Sequence, residues 1–304
     1  MMKTVIMGAG GMGSLFGGFL TLSGEEVWLV DIWKSHIETI RSKGLSLEDR
    51  GTVQTLHLKA TTDVTSVGKA DLVLIFVKTY HTEKAVADAQ ALQKENTVYL
   101  TLQNGLGNEE ALCNTVGPQR VILGVTGHGA TLLRPGHIRH GGSGKTFLGE
   151  LDGKLTDRVI QIARMFVKAG IETEASSHIH DLVWEKLFVN VGVNALAALT
   201  GLKNGQLLEN PEAFRLIEAL VSEAVKVAKT KGIRVEGEPM ERVKAVIEAT
   251  QENRCSMGQD IDYKRRTEID TINGAVVREA ARLGISVPYN QMITDLVKVV
   301  EKQF

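Results

Sequence analysis

The chain has only two cysteines in 304 residues, Cys113 and Cys255, far apart in sequence. So few thiols exclude a disulfide-stapled scaffold and predict a reduced, cytoplasmic setting. Charge of one sign is also missing. Thirty-five basic residues against 36 acidic leave a formal net charge of −1, which argues against a nucleic-acid surface. No apolar run reaches the roughly 18 residues that span a bilayer, so no membrane partner is expected. The start, MMKTVIMGAG, runs straight into glycines and lacks the charged, apolar and small-residue regions of a signal peptide. There is no internal repeat, low-complexity tract or long flexible linker. What remains is an ordinary globular composition, 43% hydrophobic and 23% charged, in a chain long enough for two domains.

The first half alternates. KTVIMGAG, EVWLVD, DLVLIFVKT and NTVYLTLQN are short β-rich runs. GSLFGGFLTLSG, EKAVADAQAL and NEEALCNTV between them have helical character. Alternation of this length predicts a parallel sheet with crossover helices, a Rossmann-type α/β domain. GLSLEDRGTVQTLHLKA reads as an inserted hairpin around EDRG. Residues 121–150 are glycine- and β-rich and are expected to finish the sheet, and RVIQIARMFVKAGIETEAS adds a helix and a strand. From about residue 178 the pattern becomes helical: PEAFRLIEALVSEAVKVAKTKG, EPMERVKAVIEAT, RRTEIDTINGAVVREAARLG and QMITDLVKVVEKQ repeat apolar residues at three and four. The expected division is 1–177, a dinucleotide-binding domain, and 178–304, an all-helical substrate-binding domain.

Residues 8–13 read GAGGMG, so Gly8, Gly10 and Gly13 match G-x-G-x-x-G, with Gly11 and Met12 in the same turn. The match follows a predicted strand and opens a predicted helix, and an acid, Asp31, ends the next strand about 20 residues on. Gly8 permits the tight turn, Gly10 lets the backbone approach a pyrophosphate, and Gly13 allows close helix–strand packing. The helix N-terminus attracts the phosphates. Asp31 suits the ribose hydroxyls of NAD and would repel the 2′-phosphate of NADP, with Lys34 near enough to soften that preference. A second glycine-rich stretch, HGGSGKT at 140–146, is not a phosphate loop. The pattern would need glycine where Arg139 stands, and a β-like run follows it.

VWEKLFVNVGVNALAAL, residues 183–199, poses a different problem. It is a nearly apolar helix, uninterrupted by proline, with Lys186, Asn190 and Asn194 four residues apart along one face. A buried polar group without a partner costs about 1–3 kcal/mol. Either the stripe reaches solvent, with Lys186 snorkelling outward, or it faces a ligand. A lysine in an apolar setting beside the nicotinamide could protonate a ketone oxygen during hydride transfer, a contribution of about 10²–10⁴-fold. A second polar stretch, ENRCSMGQDIDYKRRTEIDTINGA, concentrates Asn253, Ser256, Asp260 and Glu268. Cys255 lies beside Ser256 and would be reactive if exposed. His128, His137 and His140 have no cysteine or carboxylate interleaved, so no metal site is expected there.

Together, GAGGMG, VKTY, LQNG, WEKLFVNVGVN, SMGQDI and RTEIDTINGA resemble the ketopantoate reductase (2-dehydropantoate 2-reductase) family, in order and over essentially the whole chain. The resemblance implies an NAD(P)-dependent oxidoreductase of a small 2-oxo acid, ketopantoate to D-pantoate. It implies that Lys186 protonates the nascent alkoxide, that Glu268 binds substrate and supports catalysis, and that Ser256 holds the substrate carboxylate. Asn190 and Asn194 correspond to substrate-binding asparagines, Asn104 and Lys78 to cofactor-side residues, and Asn253 and Asp260 to supporting polar groups. In one respect the chain departs. The best-known members use NADPH and carry a basic residue where Asp31 stands. Asp31 leans toward NADH, and toward relatives that resemble NAD-dependent D-2-hydroxyacid dehydrogenases of branched or aromatic 2-oxo acids. A non-catalytic dinucleotide sensor on the same fold would have no need of Lys186, Ser256 and Glu268. The helical domain could support a homodimer, though no interface signature compels one.

Overall fold

Strands and helices alternate through the first half of the computed structural model, which describes residues 2–304. In chain order these are β1 (Lys3–Met7), α1 (Gly11–Leu22), β2 (Glu26–Val30), α2 (Lys34–Lys43), β3 (Leu45–Asp49), β4 (Thr52–Leu56), β5 (Lys59–Thr61), β6 (Leu72–Ile75), α3 (Thr82–Ala89), β7 (Val98–Thr101), α4 (Asn108–Val116), β8 (Val121–Thr126), β9 (Gly129–Arg134), β10 (His137–Gly142), β11 (Thr146–Glu150), α5 (Asp157–Lys168) and β12 (Thr173–Ala175). Helices follow: α6 (Ile179–Thr200), α7 (Asn204–Glu209), α8 (Pro211–Thr230), α9 (Pro239–Ala249), α10 (Ser256–Asp262), α11 (Asn273–Leu283) and α12 (Pro288–Glu301). The chain forms two compact units. One comprises the residues up to Gln103 with Asn108–Ile179, and the other Asn104–Gly107 with His180–Phe304.

The first unit is built on an eight-stranded sheet in the order β12-β11-β8-β7-β6-β1-β2-β5. All its pairs are parallel except β11 with β8. The inner strands are continuously apolar because both their faces are covered. Leu72–Ile75 of β6 and Val98–Thr101 of β7 are buried at every position. The chain leaves β1 for β2 on one side of it and returns to β6 on the other, so a topological switch point lies at the C-terminal end of β1.

Residues 121–150 do not all finish this sheet, as the sequence suggests. β8 and β11 join it, but β9 and β10 pair with the β3–β4 hairpin in a separate sheet of order β4-β3-β10-β9. The reason lies in burial. β9 has no fully buried residue and β10 has one, Ile138, so each has a single apolar side to cover. That side closes over α1: Leu45, Leu47, Leu56 and Ile138 share a core with Leu15, Phe16 and Leu20.

In the second unit α6 is the spine. Trp184, Leu187, Val191, Leu196 and Ala197 are buried against Ile217, Leu220 and Val221 of α8 and Val276 and Ala280 of α11. Gly192 sets the approach, since a Cβ there would lie 3.0 Å from both Ile217 Cγ2 and Val221 Cγ2. Among the described residues α6 is the one helix long and apolar enough to cross a membrane, and much of it is buried in this core. The Asn273 amide donates to Val191 O at 3.0 Å and to Asn290 Oδ1 at 3.1 Å, tying α11 and α12 to α6.

The stretch RRTEIDTINGAVVREAARLG is not one helix. A 3₁₀ turn at Ile269–Thr271 precedes α11, and Ile272 (φ −102, ψ −95) breaks the backbone between them. The Thr271 carbonyl accepts the Leu106 N–H at 2.9 Å. Gly105 (φ +81) packs so close that a Cβ would come within 2.2 Å of that oxygen. These contacts are why Asn104–Gly107 group with the helices rather than with the sheet from which they emerge.

Candidate active site

In the first unit the expected cofactor residues gather at the C-terminal ends of β1, β2 and β6. The glycines divide by what a side chain would meet. At Gly8 (φ +98) a Cβ would lie 2.6 Å from Val77 N, and at Gly13 1.9 Å from Gly8 O. Both are glycine for internal reasons, a tight turn and a close helix–strand approach. Gly11 is glycine because β9 crosses it, where a Cβ would lie 2.7 Å from Ala130 O. Gly10 is different: a Cβ there would meet nothing within 4 Å, and its φ of −64 is ordinary. Nothing among the described residues requires glycine at that position, whereas a pyrophosphate against the backbone would. No side chain caps the N-terminus of α1, so its first-turn N–H groups remain donors for an anion. Met12 is half-buried behind the turn and packs into the α1 core. These residues fit a dinucleotide.

Asp31 follows β2 and is partly exposed. Its Oδ2 accepts the Ala9 N–H at 2.7 Å and its Oδ1 the Trp33 N–H at 2.9 Å. The carboxylate is therefore fixed beside the glycine turn, and each oxygen keeps a lone pair for a ribose hydroxyl. Lys78 lies past the end of β6. The preceding carbonyl, Val77 O, accepts from Gln103 Nε2 at 2.7 Å, and the same amide reaches Thr82 Oγ1 at 2.9 Å. Gln103 thus fixes the loop that carries Lys78. Little in the sequence signals this, because the bond goes to a backbone carbonyl. Asn104 follows Gln103 directly but belongs to the second unit.

The second unit holds the remaining candidates. Asn194 is buried, and Lys186 and Asn190 are partly buried. The Nδ2 of Asn190 is buried and has no hydrogen-bond partner among the described residues. Burial pulls the Lys186 ammonium down to about 8, against the opposing pull of the Glu268 carboxylate. Glu268 is itself buried, just before the 3₁₀ turn. A lysine tuned in this way can release a proton near neutral pH, which an ordinary surface lysine does not.

Helix α10 is fastened to the same part of α6. The Cys255 thiol donates to Asn194 O at 3.4 Å and accepts the Gly258 N–H at 3.2 Å, capping α10. Burial pushes this thiol up, so it is a structural cap and not a reactive group. The Arg254 guanidinium donates to Ala197 O and, at 3.2 Å, to Leu202 O, and grips Asp262 through two 2.9 Å bonds. Ser256 is exposed at the first residue of α10, and Asp260 is buried one turn on. Asn253 is exposed, and its backbone bonds run to Thr250 and Asn204 rather than to α6.

The histidines form a network. His128 Nδ1 lies 3.0 Å from His140 Nε2, and His140 Nδ1 lies 2.9 Å from Asp49 Oδ1, so the carboxylate missing from the local sequence comes from β3. Among the described residues no group of three or more His, Cys, Asp or Glu side chains is arranged to hold a metal ion.

Residues 4–153 match the family model described as ketopantoate reductase PanE/ApbA, and residues 178–301 match the model of its C-terminal part. A 2-dehydropantoate 2-reductase of Halobacterium salinarum is 38% identical over 302 residues, 99% of each chain. The crystal structure of a PanE/ApbA family ketopantoate reductase from Ralstonia eutropha JMP134 is similar at a TM-score of 0.92 and 31% identity, with 99% of both chains covered. A D-mandelate dehydrogenase in complex with NADH and anilino(oxo)acetate is similar at a TM-score of 0.90 and 30% identity, again with 99% of both covered. Taken over its whole length, the chain belongs to the ketopantoate reductase family and is an NAD(P)-dependent oxidoreductase.

Proposed function

We propose that this protein reduces the ketone of a small 2-oxo acid with NADH, and that ketopantoate is the substrate, giving D-pantoate. The carrying observation is Lys186, an ammonium held near 8 with the buried Glu268 as its counter-charge, on the same helix face as an unpartnered amide, Asn190. The names of the relatives support the choice of substrate. The fixed carboxylate of Asp31 supports NADH, because a 2′-phosphate beside it would meet like charge.

A bound reduced nicotinamide supplies the hydride. The side chains do the rest. Lys186 donates a proton to the oxygen as negative charge develops on it. Glu268 keeps the lysine charged against desolvation and accepts a hydrogen bond from the substrate. Asn190 Nδ2 and Asn194 donate to substrate oxygens. Ser256, exposed at the start of α10, holds the carboxylate, with Asn253 and Asp260 in support. Lys78 and Asn104 act on the cofactor side. In the reverse direction neutral Lys186 takes the hydroxyl proton.

Lys186→Ala tests this. Turnover should fall about 10²–10⁴-fold while dinucleotide binding stays within a few-fold of wild type. Full activity in that variant contradicts the mechanism.

One observation favours a second reading with the same chemistry. The similar D-mandelate dehydrogenase was solved with NADH and anilino(oxo)acetate. On that reading the substrate is another branched or aromatic 2-oxo acid. Poor turnover of ketopantoate beside fast NADH oxidation with such an acid would select it.

A further inference from the structure

His36, on α2, is wholly buried in the first unit. Three neighbours hold its ring. The Gly136 N–H donates to Nδ1 at 2.9 Å. Nε2 lies 3.4 Å from Ser14 Oγ. The Trp33 indole stacks on one face, 5.3 Å between centroids and 13° between planes. The first bond fixes the proton. A backbone N–H only donates, so Nδ1 carries the lone pair and the neutral ring is protonated on Nε2. Nε2–H then donates to Ser14 Oγ, whose own hydrogen goes to Ala9 O at 2.8 Å.

The bonds form a continuous tie. Ala9 is held on both sides, its N–H by Asp31 at 2.7 Å and its C=O through Ser14 by His36. At the far end Gly136 (φ +70) sits in the turn between β9 and β10, and its C=O accepts the Ser46 N–H at 2.8 Å. A Cβ on Gly136 would meet Thr39 Cγ2 at 2.5 Å, so this turn is pinned against α2 as well. The peptide before Gly10 is thereby anchored to the second sheet through one imidazole.

We propose that His36 is a positioning residue for the dinucleotide, its Nε2-protonated ring holding the Ala9–Gly10 turn at the spacing that receives the pyrophosphate. This rests on the glycine turn being the dinucleotide site. His36 is buried and acts only through Ser14 and Ala9.

Protonation would set Nδ1–H against the Gly136 N–H, two donors facing each other, and break the tie. Among the elements packed on the ring, α1 carries no ionisable side chain, and the end of β2 brings Asp31, whose charge favours the protonated form. On α2 itself Lys34, Glu38, Arg41 and Lys43 are exposed, as is Arg134 of β9, and His137 lies 3.8 Å from Glu48. Burial outweighs Asp31 and holds His36 below the usual imidazole range. The tie is therefore intact at neutral pH and weakens as pH falls below that range.

The test is a fluorescence titration of the full-length protein with NADH and with NADPH, between about pH 5 and pH 8, for wild type, His36→Asn and His36→Phe. His36→Phe keeps the ring and its stack on Trp33 but loses both bonds. Its Kd for the preferred dinucleotide at neutral pH should rise about tenfold, and the rise seen in wild type toward pH 5 should disappear. His36→Asn keeps an acceptor toward Gly136 and should lose about threefold. kcat at saturating cofactor should stay within twofold. Tight wild-type binding that is unmoved in His36→Phe, or that keeps its pH dependence there, overturns the proposal alone. Binding of neither dinucleotide by wild type overturns both the proposal and the reading beneath it. Should His36→Phe fail to fold, nitrogen-15 NMR of wild-type His36 decides: the Nε2–H tautomer supports the proposal and the Nδ1–H tautomer overturns it.

Discussion

Under the proposed mechanism, Lys186 and Asn190 oppose stability in two different ways. A lysine drawn down to about 8 is less comfortable charged in the folded chain than in water, and only its neighbours keep it ionised. In the proposed mechanism the ammonium is the active form in the reduction direction, so kcat/KM should decline as pH rises through about 8. Oxidation of the hydroxy acid needs the neutral amine and should climb over the same range. A pH–rate profile in both directions checks the two signs together, and Lys186→Ala should flatten this transition in its residual rate. Asn190 carries a buried donor that nothing among the described residues satisfies. Leaving such a group unpaired costs about 1–3 kcal/mol. Asn190→Leu, similar in volume and without the donor, should melt at or above the wild-type temperature. Its KM for the 2-oxo acid should rise about tenfold or more. A melting point several degrees lower with KM unchanged would mean that the amide serves the fold.

At the scale of elements, the glycine turn separates packing from binding. Gly13→Ala drives a methyl into the Gly8 carbonyl and should destabilise the first unit by about 1–3 kcal/mol or more. Gly10→Ala meets nothing and should melt like wild type, yet its Kd for the dinucleotide should rise at least tenfold. Thermal melts paired with cofactor titrations distinguish the two. This turn was legible in the sequence because its determinants are local: a strand, three glycines, a helix and an acid within the first 31 residues. The stripe on α6 was legible for the same reason, as a four-residue period. The break before α11 was not. It depends on the Thr271 carbonyl receiving the distant Leu106 N–H, and no pattern within TEIDTINGA records that bond. Cys255 was half legible. Its place beside Ser256 was plain, but its work as the cap of α10 and a donor to Asn194 appears only when α6 lies alongside.

At the scale of the whole molecule, the alternation of short β-rich runs with helices, followed by helices alone, conveyed the architecture, while the resemblance to ketopantoate reductases lay in motifs such as GAGGMG, WEKLFVNVGVN and SMGQDI. The second sheet escaped because a strand with one apolar side says little about its partner. β10 pairs in parallel with β3, from far earlier in the chain, and glycine-rich sequence is consistent with either sheet. Glu268 could be placed beside Lys186 from resemblance alone, since the two are distant in sequence and the structure supplies their electrostatic coupling. The central claim, NADH-dependent reduction of ketopantoate, is tested most directly by initial rates of ketopantoate reduction with NADH and NADPH at matched concentrations. Faster turnover with NADH is the predicted result. Preference for NADPH would contradict the role given to Asp31, and negligible turnover with both would contradict ketopantoate as the substrate.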